Sequence, residues 1–168
     1  MVKPVIIFAG ICSLLLAHAT DGRPARKTVV VAVLDNLSPA DAEQMDQFLW
    51  NQVASRKEAG NFPSASTSKW KEKYKRFADT LVDKAAEQKL DSVALRKVLD
   101  LIFDHSKGEI AYLPVAAYHT TMVDRPIWIV TVRWEYPLIN RRPTQFYHVR
   151  VFAFDEQALT QVAYITCG

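Results

Sequence analysis

Residues 127–136, IWIVTVRWEY, decide the fold, because their side chains alternate in the manner of a β-strand that lies against a hydrophobic core. One set of alternate positions is large and apolar, and consists of Trp128, Val130, Val132, Trp134 and Tyr136. The other set changes along the strand from apolar residues to Thr131, Arg133 and Glu135. The pattern predicts an antiparallel strand with one buried face and a second face that becomes solvated.

The period of two continues from Glu109 to the end of the chain, so three further strands are predicted. They span residues 110–119, 145–154 and 159–167. Pro114 lacks the N–H group that a central strand donates, so the first of them is predicted to lie at an edge or to contain a bulge. Residues 137–144, PLINRRPT, are predicted to form the long loop between the middle strands. Together the strands predict a four-stranded antiparallel meander.

The residues before the meander carry the three- and four-residue apolar spacing of helices with one buried face. Residues 38–41, SPAD, predict an N-cap serine, a first-turn proline and a capping box, for a helix that runs to about Lys57. A second helix is predicted from near Lys69, and a third from Asp91 or Ser92 until just before Gly108. The apolar stripe of the second helix consists of Trp70, Tyr74, Phe77, Ala78, Leu81, Val82 and Ala85.

An N-terminal strand precedes these helices. Residues 28–34, TVVVAVL, are a continuous β-branched run, which predicts a strand that is covered on both faces or paired at the centre of a sheet. One strand, three helices and a four-stranded meander define an α+β domain in which a twisted sheet wraps a helix.

This order of elements resembles the cystatin-like class, which also contains the cone-shaped fold of the relatives of nuclear transport factor 2. The resemblance covers most of residues 28–168 and implies that topology alone. True cystatins bind proteases through Gln-x-Val-x-Gly between the first two meander strands, where this chain has residues 117–123, AYHTTMV. Cystatins also carry adjacent Pro and Trp residues in their second hairpin, whereas Pro126 and Trp128 are separated by Ile127 and lie in the first hairpin of this chain. The resemblance therefore does not extend to protease inhibition.

The N-terminal residues predict export. Residues 1–19 combine Lys3, an apolar run over residues 5–16 and the small-x-small sequence Ala17-His18-Ala19 of a signal peptide cleaved after Ala19. The apolar run is shorter than the roughly 20 residues that span a bilayer, so no transmembrane segment is expected. We therefore expect a secreted or periplasmic protein with a mobile leader over residues 20–27 and a single domain over residues 28–168.

The composition of the chain says little about the class of partner that it binds. The formal net charge of the 168-residue chain is +3, and removal of Lys3 lowers it by one, so the charge indicates no specific nucleic-acid partner. Cys167 is the one cysteine that remains after cleavage, because Cys12 lies in the signal peptide. Two interpretations stay open for Cys167: an intermolecular disulfide that makes a homodimer, or an inert thiol packed against the sheet.

Three residues are candidates for acid/base chemistry. His119 is followed by Asp124 within a turn, and a histidine beside a carboxylate can act as a general base. His148 alternates with Phe146 and Phe152, which could place it in a half-apolar cleft. An exposed hairpin histidine and a packed strand histidine are the structural alternatives. The histidines lack metal-ligand spacing and no cofactor motif occurs, so we expect neither a metal nor a cofactor.

Aromatic and basic residues are interleaved in two places, which is typical of surfaces that bind anionic partners. The candidate binding residues are Trp70, Lys73 and Tyr74 on the second helix and Arg141 and Arg142 in the loop. The alternative is that the aromatic side chains belong to the core and the cations to a solvated face. We therefore expect an exported binding or assembly module whose partner is another protein or an anionic surface. The competing hypothesis is a small acid/base enzyme of the cone-shaped fold that uses a cleft histidine.

Overall fold

The computed structural model describes residues 29–54, 66–139 and 142–167. The predicted signal peptide and leader lie outside these residues. The strands are β1 (Val30–Val33), β2 (Ala111–Met122), β3 (Arg125–Glu135), β4 (Leu138–Ile139), β5 (Arg142–Pro143), β6 (His148–Asp155) and β7 (Gln161–Cys167). The helices are α1 (Pro39–Glu43), α2 (Met45–Phe48), α3 (Trp70–Glu87) and α4 (Ser92–His105), and α2 continues into a π-helical segment (Leu49–Ala54). None of these helices is both long and apolar enough to cross a bilayer.

Five strands form one sheet in the order β1-β2-β3-β6-β7. β1 pairs with β2 in parallel, and the remaining neighbours pair in antiparallel fashion. The predicted α+β class is confirmed. β1 is an edge strand of the described sheet rather than a central one, because its second neighbour is absent from the strand order. The segment predicted as a plain loop over residues 137–144 contains the small β4–β5 sheet.

Helices cover both faces of the sheet. α3 and α4 pack on one face, where the core includes Leu81, Leu99 and Trp128. α2 and the π-helical segment pack on the opposite face, where the core includes Leu49 and Ile129. The expected sheet wrapped around one helical layer is thus extended by a second layer, because β3 is apolar on both faces along its first half.

The predicted capping box at Ser38 is present. The Ser38 hydroxyl oxygen accepts a hydrogen bond from the Asp41 backbone N–H, and the Asp41 carboxylate accepts one from the Ser38 N–H, which completes the capping box. The helix is interrupted at Gln44 and its predicted end near Lys57 lies outside the described residues. Asp91 caps α4 by accepting from the Ala94 N–H.

The predicted stripe of α3 faces the core. All of its residues are buried except Val82, which is partly buried. Tyr74 donates its hydroxyl proton to the Leu99 carbonyl oxygen over 2.6 Å, and this bond ties α3 to α4. Burial raises the pKa of Tyr74 far above its usual value.

Two irregularities occur in β2 and its turn. The register between β2 and β3 shifts between Pro114 and Ala116, so the bulge predicted from Pro114 is confirmed and β2 is not an edge strand. At the other end of β2, Val123 and Asp124 form a two-residue turn with φ angles of 48° and 62°. Positive φ at both positions is the pattern of a type I′ turn, in which a β-branched residue is strained.

Candidate functional site

An exposed apolar patch surrounds the connection between β3 and β6. Four large side chains are more than half exposed there: Tyr136 (55%), Leu138 (59%), Ile139 (53%) and Tyr147 (61%). Arg142 is exposed beside them and pairs across the small sheet with Ile139. We call Tyr136, Leu138, Ile139, Arg142 and Tyr147 the hairpin patch. Arg141 lies outside the described residues.

The hairpin patch is fixed to the start of α3 by a buried threonine. The Thr67 hydroxyl donates to the Pro137 carbonyl oxygen over 2.7 Å and accepts from the Thr144 N–H over 2.9 Å. The Thr67 N–H donates to the Thr144 carbonyl oxygen over 2.8 Å. Thr67 is 2% exposed, so these bonds are shielded from water. The two segments therefore form one surface rather than two independent loops.

The first half of α3 adds positive charge to this end of the molecule. Lys69, Lys71, Lys75 and Arg76 are exposed, and we call them the basic face. Lys73 is half-buried and donates to the Ser66 carbonyl oxygen over 2.7 Å. Cations near a helix N-terminus oppose the helix dipole, which costs stability. Lys71 and Arg76 also lie over core rings, those of Trp70 and Phe77, each at 5.7 Å from the ring centre.

The other two binding candidates on α3 are core residues. Trp70 and Tyr74 are both buried, and their ring centres lie 5.6 and 5.0 Å from that of Phe103. Their rings are thus committed to packing α3 against α4. Of the three α3 candidates, Lys73 alone is not buried, and it is half-exposed.

A groove of about 290 Å³ runs between the exposed sides of α3 and α4. It is lined by Lys71, Tyr74, Lys75, Ala78, Arg96, Asp100 and Phe103. Arg96 is paired with Asp79 over 2.6 Å, and Asp100 offsets part of the lysine charge. The groove therefore follows the contact between the two helices and includes Lys71 and Lys75 of the basic face.

His119 has a carboxylate partner, and it is Glu156 rather than Asp124. The distance between His119 Nε2 and Glu156 Oε2 is 2.8 Å, and both side chains are mostly buried. Asp124 is exposed in the β2–β3 turn. Glu156 also donates its backbone N–H to the Pro126 carbonyl oxygen over 2.9 Å. The sequence could not reveal this pair, because Glu156 reaches His119 only through the sheet register.

His148 lies near the hairpin patch and contacts a different carboxylate. Its Nε2 is 3.4 Å from Oε2 of the buried Glu135, and its ring centre is 4.8 Å from that of Trp134. Glu135 also accepts the Tyr136 N–H over 2.9 Å. His119 and His148 therefore sit at opposite ends of the sheet, since they pair with opposite ends of β3.

A third cluster was not predicted from the sequence. Arg150 of β6 lies over the ring of Trp134, with 4.1 Å between the guanidinium carbon and the ring centre. Tyr112 and Tyr164 flank it at 5.5 and 5.9 Å. The alternation of Arg150 with His148 and Phe152 was the available signal, but it did not reveal which rings would surround the guanidinium.

No known family model, curated protein or solved structure matches this chain significantly. Among the described residues, no group of three or more histidine, cysteine, aspartate or glutamate side chains is placed to hold a metal ion. Functional inference therefore rests on the geometry of the chain itself.

Proposed function

We propose that the protein is an exported binding module that docks onto an acidic face of another protein. The docking surface consists of the hairpin patch and the basic face. The observation that carries the proposal is the set of Thr67 hydrogen bonds, which ties Pro137 and Thr144, on either side of the small hairpin, to the segment that leads into the basic face. Export is part of the proposal and is supported by the signal-like residues 1–19.

The composition of the docking surface favours a protein partner. Tyrosine and arginine are enriched among the residues that dominate protein–protein binding energy, and the patch offers Tyr136, Tyr147 and Arg142 together. Leu138 and Ile139 supply apolar area at its centre. The lysines of the basic face favour a partner with acidic side chains and accelerate its association. A hairpin that inserts into lipid would carry apolar residues at its tip. Here Arg142 lies opposite Ile139 at the tip, which favours a protein partner over a lipid one.

The core also supports binding over catalysis. The space between the sheet and α3 and α4 is filled by fully buried side chains such as Leu81, Leu95 and Ile102. The grooves lined by Tyr74 and Phe103, by Met45 and Val162, and by Lys69 and Arg76 contain no histidine. A deep pocket with an inward-facing histidine would have favoured an enzyme.

The proposal is tested by photo-cross-linking in the exporting cell. A benzophenone amino acid at Tyr147 should cross-link a defined partner, whereas the same residue at Val93, exposed and apolar on α4, should not. The purified partner is then titrated with the protein in a calorimeter, which gives the dissociation constant. Leu138→Asp should raise the dissociation constant about 30-fold, as expected for the loss of about 2 kcal/mol at an anchor.

Charge variants complete the test. Lys71→Glu should weaken binding, whereas Lys97→Glu, an exposed lysine of α4, serves as the matched control. Equal effects of Lys71→Glu and Lys97→Glu would refute a localised docking surface. Vesicles of phosphatidylcholine, with and without phosphatidylglycerol, are titrated in parallel. Binding to the anionic vesicles alone, lost in Leu138→Asp, would replace the protein partner by a membrane surface.

A small acid/base enzyme that uses a cleft histidine is the second candidate. The His119–Glu156 pair favours it, because a carboxylate can orient a histidine for proton transfer. Such a role requires a ring nitrogen that reagents can reach. Diethylpyrocarbonate should then modify His119 in the native protein at a rate close to that of the unfolded chain. Protection of His119 until unfolding would assign the pair to the anchoring of the β6–β7 turn.

Two finer expectations are also proposals. We propose a cystatin-like topology, supported by the packing of α3 against the long strands of the sheet. A homodimer bridged through Cys167 is supported by the place of β7 at the edge of the described sheet, where a second copy could reach the chain end. Non-reducing electrophoresis separates monomer from dimer.

A further inference from the structure

Arg150 is a half-buried cation whose guanidinium group is held in one orientation. Its Nε–H donates to the Thr166 hydroxyl oxygen over 3.3 Å, and its Nη1 donates to the Tyr112 hydroxyl oxygen. The ring of Trp134 supports one side of the group at 4.1 Å. Because these contacts already restrict the side chain, a ligand that binds it loses little additional side-chain entropy.

The charge of Arg150 has no carboxylate partner among the residues that the structure describes. Glu135, the carboxylate beside Trp134 in sequence, contacts His148 and the Tyr136 N–H instead. The two hydrogen bonds of Arg150 use two of the five N–H donors of a guanidinium, so three remain. The indole Nε1–H of Trp134 is buried and also lacks an acceptor within the described part of the chain. The cluster is therefore rich in donors and poor in acceptors.

We propose that Arg150 is the anchor of a binding site for a small planar carboxylate. The remaining guanidinium donors form the fork that a carboxylate accepts in bidentate fashion. Arg150 supplies one permanent positive charge, which suits a monoanion better than a phosphate dianion. Trp134 and Tyr164, both partly exposed, provide ring surface beside Arg150, so the carboxylate is expected to carry a flat apolar group. This site is independent of the protein partner of the docking surface.

The test is an NMR titration of the ¹⁵N-labelled mature protein with benzoate, its neutral analogue benzamide, and inorganic phosphate. Benzoate should shift the Arg150 Nε–H and Trp134 indole resonances in a saturable manner. The dissociation constant should be on the order of millimolar, as expected for a ligand of this size. Arg150→Lys keeps the charge but loses the fork, and should weaken benzoate binding roughly tenfold. Arg125→Lys, at an exposed position on β3, should leave it unchanged.

Three results would overturn the site. Equal shifts with benzamide would reduce it to apolar contact, and tighter binding of phosphate would contradict the carboxylate assignment. The absence of a saturable shift would leave Arg150 as a cation–π contact that only stabilises the sheet. Benzoate and benzamide are compared on the unaltered protein, so the test holds even if Arg150→Lys does not fold.

Discussion

The β2–β3 turn offers a substitution that should stabilise the protein. Val123 has a φ of 48°, a conformation that costs an ordinary L-residue about 1–2 kcal/mol and that asparagine tolerates well. The side chain is 60% exposed, so its removal sacrifices only about 0.5 kcal/mol of apolar burial. Val123→Asn should therefore raise the free energy of unfolding by about 0.5–1 kcal/mol. For a domain of this size, that gain corresponds to roughly 2–3 °C in the melting temperature.

The matched control is the same substitution in an extended strand. Val33 is 61% exposed, and its φ angle is not positive. Val33→Asn removes a similar apolar area but relieves no strain, and it places a poor strand former in β1. It should lower stability by up to about 1 kcal/mol. Both variants are compared by thermal and urea unfolding under circular dichroism. A fall in stability for Val123→Asn equal to that for Val33→Asn would refute the strain argument.

Four further predictions concern the core, the response to pH, processing and assembly. Phe77→Ala should lower the free energy of unfolding by about 3–5 kcal/mol, because Phe77 is buried. Val93→Ala, at an exposed site, should lower it by less than about 0.5 kcal/mol. An unchanged urea midpoint for Phe77→Ala would contradict the burial of Phe77. Burial raises the pKa of Tyr74 in the folded state, so the unfolded chain releases that proton first as the pH passes 10. Stability should then fall above pH 10 and less steeply in Tyr74→Phe, as pH-dependent urea unfolding can measure. Intact-mass analysis should give Thr20 as the mature N-terminus, and a retained Met1 would remove the case for export. If the Cys167 bridge forms, non-reducing electrophoresis should show a dimer that Cys167→Ser abolishes; a monomer for the unaltered protein would exclude it.

Local signals in the sequence predicted the α+β class and several of its elements. The Ser38 cap, the start of α4 at Asp91 or Ser92, the stripe of α3 and the bulge near Pro114 all depend on residues within a few positions of one another. Periodicity and capping chemistry are therefore sufficient to predict them. The placement of β1 at an edge was not predictable in this way, because a β-branched run is compatible with edge and central strands alike.

The candidate sites were less predictable, because they depend on strand register. His119 was expected beside Asp124, five residues away, but contacts Glu156 across the sheet. The rings around Arg150 come from β2, β3 and β7. The spacing of Trp70 and Tyr74 is compatible with a surface position and with a core position. The structure places both in the core, where they pack against Phe103.

The parallel pairing of β1 with β2 has a consequence for the order of folding. Val30 pairs with Ala116, 86 positions later, so the first strand to be synthesised joins the sheet only after both long helices have emerged. Closing so large a loop is slow compared with forming the hairpin between β2 and β3. Until then, the valine-rich strand presents an unpaired edge to neighbouring chains. Refolding yield should therefore depend on protein concentration.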